Sequence, residues 1–375
     1  MKFQILLLLL LQPTLATKKN KQCNNNPTST CSTTNNTPSN TTSTQFYTPP
    51  STTSTKTTTS KTTTSTTSSS TPIRPHIVMA LFDDLGANDL GIFSGGIHTP
   101  RTPFMDELMT GGIKLKQYYV QPICSPTRSA LFTGRYPMRM GAQHGVALTK
   151  DPTWIPKEEV LLSERLSQVG YRVVGTGKWH LGHGNLGYTP TGRGFDEFYG
   201  SYTAAQDHWE HITWIGGGGD RDASRRSQHR GRTTGIPSAV NAMPRPKINV
   251  VDQHHDIKHR KSGRIVRDLI TSDNMTHSTD VFAREAIRMI FQHNDAIDGP
   301  LFLYLPFTAP HWPNQYYQHY ADLNTHIPGQ KRQEFAGMIT HLDDAMRHIV
   351  DALRRKKMWH NTLGKSNGNG CSSSW

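Results

Sequence analysis

The chain has 375 residues, a hydrophobic fraction of 34% and a formal net charge of +13. That length allows one large α/β domain with appendages, or two to three domains of ~150 residues. No apolar run approaches the ~20 residues a spanning helix needs, which excludes a polytopic membrane protein. Four cysteines are too few for a disulfide framework.

The start of the chain reads as an address. Met1-Lys2 is a short basic region, Ile5 to Leu11 an apolar stretch, and Thr14-Leu15-Ala16 a small-residue cleavage site, the pattern of a signal peptide over residues 1–16. The mature chain would then enter an oxidising, glycosylating compartment. Asn35, Asn40 and Asn274 each open an Asn-x-Ser/Thr acceptor suited to that route. Residues 17–72 have almost no apolar side chains. From Ser51 to Thr71, 19 of 21 residues are Ser or Thr. Such a tract cannot pack, and reads either as a mucin-like, O-glycosylated linker or as a plain disordered leader. Cys23 and Cys31 are near neighbours within it.

Order is expected from His76. Ile77 to Phe82 is a continuous apolar run, as in a parallel strand buried on both faces. It ends at Asp83-Asp84, so two carboxylates fall at the carboxyl end of a strand, where open α/β sheets bind ligands. Thr102 to Leu108 predicts a helix with Pro103 in its first turn, Ser125 to Phe132 a second, and Leu161 to Val169 a third. Tyr171 to Gly175 and Leu301 to Phe307 predict strands. Thr279 to Gln292 and Phe335 to Leu353 carry helical spacing. Alternating strands and helices predict an α/β fold, a mostly parallel central sheet with helices on both faces. Between Asp220 and Asp268 stand twelve Lys/Arg against five Asp, behind four consecutive glycines from Gly216. Residues 216–268 therefore read as a basic surface insertion.

The chemistry concentrates at Cys124-Ser125-Pro126-Thr127-Arg128. A thiol sits at a helix start whose unpaired N–H groups favour an anion, and Arg128 adds a guanidinium fork for oxyanions. On the residues alone, Cys124 is either a low-pKa nucleophile or a buried structural cysteine. Asp83-Asp84 is either a pair of oxygen ligands for a hard cation or a turn. Lys178 and His180 could equally be a solvated strand end, and His311 a loop residue between two prolines.

Taken together, the strings resemble the type I sulfatases. Cys124-x-Pro-x-Arg followed by Ser129-x-Leu-x-Thr-Gly is similar to that family's signature. Asp83-Asp84, Gly177-Lys178-Trp179-His180-Leu181-Gly182 and Ala309-Pro310-His311-Trp312-Pro313 match in order. The resemblance runs from about Pro75 to Leu363. It is closest to arylsulfatase B-like (N-acetylgalactosamine-4-sulfatase-like) enzymes, through Tyr118 to Pro122 and Gly192 to Asp196. It implies an alkaline-phosphatase/sulfatase-like fold with its catalytic domain at 73–363, and hydrolysis of sulfate monoesters on sulfated glycans. It implies that Cys124 becomes Cα-formylglycine, made by the formylglycine-generating enzyme of the endoplasmic reticulum, whose hydrate is the nucleophile. One Ca²⁺ ion would be held by Asp83, Asp84 and residue 124. Arg128 would support the nucleophile, Lys178 bind a sulfate oxygen, His180 move the hydrate's proton, and His311 bind sulfate or protonate the departing alcohol. A lysosomal or extracellular location follows from the same likeness.

The chain departs from the pattern after Leu363. The family places an apolar strand ending in Asp-Asn there, and a C-terminal subdomain beyond. Residues 364–375 instead read as a divergent tail without strand-forming residues or an acidic ligand, which predicts a raw sheet edge and a cation site short of ligands. The competing function is a catalytically inactive secreted sulfated-glycan binder, its basic insertion focusing polyanions. Nucleic-acid binding is disfavoured by the signal peptide and by the lack of an aromatic-interleaved basic motif.

Overall fold

The structure is a computed structural model. It describes Leu8–Leu9 and residues 74–369 apart from 116, 144, 149–153, 205, 216–247, 259–261 and 274. The linker, the three glycosylation acceptors, Cys23, Cys31 and nearly all of the leader lie outside the described residues. Leu8–Leu9 pair antiparallel with Ile113–Lys114.

The strands are β1 (His76–Asp83), β2 (Arg172–Lys178), β3 (Glu197–Ser201), β4 (Ile212–Ile215), β5 (Ile248–Val251), β6 (His254–Lys258), β7 (Ile265–Leu269), β8 (Leu301–Phe307) and β9 (Thr362–Asn369). The main helices are α1 (Pro103–Thr110), α2 (Cys124–Thr133), α3 (Leu162–Gln168), α4 (Ser278–Gln292) and α5 (Gln330–Arg355). Seven strands form one sheet in the order β9-β1-β8-β2-β3-β6-β7. The first five run parallel and β6 and β7 antiparallel. β4 and β5 form a separate antiparallel pair.

The apolar strands are long runs because both their faces are covered. Alternate residues of β1 and β8 point to opposite sides. Val78, Ala80, Phe82, Leu303 and Leu305 join a core with Phe282 and Ile290 of α4 and Ile339, Leu342 and Ile349 of α5. Met79, Leu81, Phe302 and Tyr304 join a second core with Phe132 of α2, Trp179, Phe195 and Phe198. The predicted layering, helices on both faces of a mostly parallel sheet, is the observed one. Each fully buried Leu or Phe here is worth about 2 kcal/mol of transfer free energy. No helix among the described residues is long and apolar enough to cross a membrane.

Two expectations are corrected. The segment after Leu363 is not strandless: Thr362–Asn369 lies parallel to β1, with Leu363 opposite Ile77 and Asn369 opposite Asp83. The pairing follows from β1's own edge, whose N–H and C=O groups need partners and accept any backbone. Nor is the basic stretch 216–268 a surface insertion throughout. His254–Lys258 and Ile265–Leu269 extend the central sheet, and Asp252, Gln253 and Asp256 are buried. Among the described cations of this stretch, Arg267 is paired: its Nε donates to Asp256 Oδ1 at 2.9 Å, and its guanidinium stacks over the Tyr202 ring.

Candidate active site

The site lies at the carboxyl edge of the parallel strands. Asp83 ends β1, and Asp84 follows in the left-handed region at φ 69°, which turns the chain sharply out of the sheet. Lys178 ends β2. Gly177 before it sits at φ 135°, and a Cβ there would lie 2.0 Å from the Pro306 carbonyl oxygen. Only glycine lets β2 and β8 approach this closely beside Lys178. His180 follows at φ 58°. The loop after β8 carries His311, and the Asp83 N–H donates to Ala309 O, tying that loop to β1.

Cys124 is the first residue of α2 and is buried. Arg128 lies one turn on, hence on the same helix face, and is fully buried. Its Nη1 donates to Lys178 O at 2.8 Å and faces the Tyr304 hydroxyl at 3.4 Å, while Nη2 stands 3.4 Å from Asp83 Oδ1. Lys178 Nζ donates to Asp83 Oδ2 at 2.5 Å. Ser125 bridges neighbouring segments: its hydroxyl donates to His180 O at 3.1 Å and accepts the Ala147 N–H at 3.0 Å. His180 Nε2 lies 2.8 Å from Ala147 O. A carbonyl only accepts, so Nε2 carries the proton and Nδ1 keeps its lone pair. His311 Nε2 is 3.7 Å from Asp84 Oδ2.

Burial sets the proton affinities. For Asp83, burial and the neighbouring Cys124 sulfur push the carboxyl up, but Lys178 and Arg128 prevail and hold it below the usual carboxylate range. Burial pushes Asp84 up to about 7 against the pull of His311. Burial, with Lys178 nearby, pushes His180 down to about 4. Burial would lower His311 as well, but its hydrogen bond with Cys124 and the charges of Asp83 and Asp84 lift it to about 9. The surroundings of the two histidines beside Cys124 thus push them in opposite directions.

All seven residues expected from sequence converge here. Their pairings differ in one respect: ligand atoms of Asp83, Cys124 and His311 lie within 4.8 Å of one another, whereas Asp84 faces His311 instead of joining that group. The donor set fits a hard divalent cation at this edge. Two carboxylates follow one another at the strand end, Asp84 Oδ1 is buried without a hydrogen-bond partner, and oxygen ligands suit Ca²⁺ or Mg²⁺. The buried Arg128 Nε and the N-terminus of α2 suit an anion. Sequence reasoning missed Tyr304 and Ser125. Tyr304 left one signal, a lone hydroxyl within an otherwise apolar buried strand.

The family model described as Sulfatase matches residues 75–363. Arylsulfatase J of Mus musculus is 29% identical over 294 residues, covering 77% of this chain and 41% of that protein. The N-acetylgalactosamine-6-sulfatase of Homo sapiens is 38% identical over 141 residues, 36% of this chain and 26% of that protein. Among solved structures, that of Ps i-CgsB superposes with a TM-score of 0.60 at 25% identity, over 80% of this chain and 60% of that one. The chain spans less than half the length of the curated relatives named here.

Proposed function

The chain belongs to the sulfatase family, and from that premise we propose that it hydrolyses sulfate monoesters of glycans at the β1–β2–β8 edge. The observation that carries the reading is the convergence of Cys124, Arg128, Lys178 and His311 around one buried carboxylate, Asp83, with His180 beside Cys124. A sulfate monoester is an anion that repels nucleophiles, so cations must first neutralise it. Arg128, Lys178 and the N-terminus of α2 provide that charge in a water-poor site, where fixed donors are most effective.

Cys124, converted to formylglycine in the endoplasmic reticulum, would supply the oxygen nucleophile in its hydrated form. A divalent cation, Ca²⁺ by family, would be held by Asp83, Asp84 and residue 124, and would polarise sulfate oxygens when bound. His180, neutral with its Nδ1 lone pair available, is suited to accept a proton beside residue 124. His311, 3.7 Å from Asp84 Oδ2, is suited when protonated to donate one to the departing alcohol. The name of the N-acetylgalactosamine-6-sulfatase relative and the arylsulfatase B-like strings favour a sulfated N-acetylgalactosamine within a glycosaminoglycan. The leader and the acceptors Asn35, Asn40 and Asn274 favour a secreted or lysosomal glycoprotein.

The test is to co-express the chain with formylglycine-generating enzyme and measure 4-methylumbelliferyl sulfate hydrolysis beside the mass of the peptide holding residue 124. Turnover abolished by Cys124→Ser supports the reading. Unmodified thiol, or turnover indifferent to that substitution, overturns it. One observation favours a second reading, an inactive binder of sulfated glycans: Lys178 already neutralises Asp83 at 2.5 Å, where a cation ligand is expected. Retention on chondroitin sulfate without turnover, despite formylglycine at 124, would favour that reading.

A further inference from the structure

Resting on the hydrolase reading above, we infer that His208 is the positioning residue for His311, gripping its main-chain carbonyl and so fixing where its imidazole stands. The loop that presents His311 runs from Thr308 to Gln315 without regular structure. Such a loop holds a side chain in place only if its backbone is tied down. His208 Nε2 lies 3.0 Å from His311 O, and its Nδ1 lies 2.7 Å from Ser278 Oγ. The carbonyl can only accept, so Nε2 carries the proton and Nδ1 accepts from the Ser278 hydroxyl. Ser278 Oγ in turn stands 3.1 Å from Thr308 Oγ1 at the start of the loop.

The far end is tied by the same segment. The His208 N–H donates to Gln315 Oε1 at 2.5 Å, and Gln315 Nε2 donates to Asp207 Oδ2 at 2.6 Å. Asp207 is itself fixed by accepting the Trp209 and Glu210 N–H groups. Behind His208, the His277 ring stacks parallel at 5.1 Å. His277 accepts the Thr279 N–H at Nδ1 and donates from Nε2 to Gln315 O at 2.9 Å. Thr308, His311 and Gln315 are therefore all held by residues 207–208 and the start of α4. His208 is fully sealed from water, and burial pushes it down to about 4. It stays neutral and keeps this donor–acceptor arrangement at ordinary pH.

Two near-isosteric variants separate the contacts. His208→Gln keeps an N–H at the ε position for His311 O. His208→Asn keeps an acceptor for Ser278 but cannot reach His311. The readouts are the His311 Cε1–H resonance in histidine-labelled protein, identified by its loss in His311→Ala, and kcat and KM for 4-methylumbelliferyl sulfate. His208→Asn is expected to shift or broaden the resonance and lower kcat about 10- to 100-fold with KM little changed, and His208→Gln to restore both. In a His311→Ala background His208→Asn should cost nothing further, since it acts through His311. An unmoved resonance in His208→Asn, or full additivity with His311→Ala, overturns the proposal. A responsive resonance in a wild-type chain without turnover upholds the positioning role and removes the hydrolase reading instead. Should His208→Asn lose a cooperative melt, Ser278→Ala carries the test. It removes the hydroxyl that Nδ1 accepts from, leaving only Thr308 Oγ1 at 3.4 Å, so the His311 resonance should shift or broaden while a cooperative melt is kept, and a sharp, unmoved resonance overturns the assignment.

Discussion

Lys178 Nζ stands 2.5 Å from Asp83 Oδ2, with both side chains shut away from solvent. A buried pair of this kind costs little while intact and much when halved, because the surviving charge has lost its water as well as its partner. Asp83 keeps Arg128 Nη2 at 3.4 Å, so Lys178→Met is expected to destabilise the fold by about 1–3 kcal/mol, less than the loss of a sole partner. Adding Asp83→Asn also strips Arg128 of that carboxylate, so the double variant should depart from the sum of the two singles. Urea unfolding of the two single variants and the double variant checks the cycle. Simple additivity would mean that the two groups do not share one environment.

The same contact bears on cation binding. The cation's carboxylate ligands expected at this edge are Asp83 and Asp84; Asp83 already holds Lys178, and Asp84 faces His311. Ca²⁺ prefers six to eight oxygens. Calorimetric titration should give a Kd for Ca²⁺ no tighter than about 10⁻⁴ M, the weak end of protein sites, with correspondingly low sulfate-ester turnover. Nanomolar binding with robust hydrolysis would show that further ligands enter the site.

Glu197 gives a pH signature distant from the chemistry. It is buried on β3, accepts from Arg288 Nη2 at 2.5 Å and His255 Nε2 at 3.0 Å, and pairs with Arg172 at 3.3 Å. Burial pushes its carboxyl up, but the His255 and Arg288 bonds outweigh burial and bring it down to about 2, against 4.5 ordinarily. A lowered carboxylate stabilises the fold fully above its unfolded value and loses that contribution as pH falls through its folded one. The window is thus about pH 4.5 down to 2, and the contribution is of order 3 kcal/mol. Glu197→Gln should flatten the stability profile across that window, measured by thermal melts from pH 2 to 7. An unchanged acid limb would refute the assignment.

What could be seen in the sequence follows from how each element is stabilised. β1, β2 and β8 are buried on both faces, so their side chains announce them. Cys124, Arg128, Lys178, His180 and His311 stand in ordered strings at strand ends and a helix start. β6 and β7 were hidden because His254, His255 and Arg267 look like solvated charge, and only the fold supplies Asp252, Glu197 and Asp256 as partners. β9 was hidden because Gly364, Asn367, Gly368 and Asn369 are poor strand formers, and the β1 edge it pairs with is a backbone property that leaves no mark on the sequence. His208 was hidden because its function is a bond to a carbonyl 103 residues away, and a carbonyl leaves no mark on the sequence.

Gly177→Ala tests the closeness of β2 and β8 beside Lys178. The added methyl would meet Pro306 O at 2.0 Å in a backbone conformation that L-residues rarely adopt. Neither strand can yield without disturbing the registers around Tyr304 and Lys178. The expected result is loss of more than about 3 kcal/mol, or no soluble product, where Gly263→Ala on the open surface, also at positive φ, costs about 1–2 kcal/mol. Equal effects at the two positions would refute the steric argument.

The last prediction concerns β9. Residues 364–369 pair with β1 in parallel register, from Gly364 opposite Val78 to Asn369 opposite Asp83. If β9 is held by β1's unmet hydrogen-bonding groups, its stability depends on the chain being present and little on which side chains it carries. Ending the chain at Leu363 should therefore expose β1 as an unprotected edge, lower the melting temperature and drive association through strand pairing. Replacing Lys365 and Asn367 with Thr in the full chain should leave the pairing intact and raise stability by up to about 1 kcal/mol, since Thr suits a strand better. Light scattering and thermal melts of the three proteins decide the matter. A shortened chain as monomeric and as stable as the full one would mean that the β1 edge needs no cover. A large loss from the threonine exchanges would mean that specific side chains hold β9.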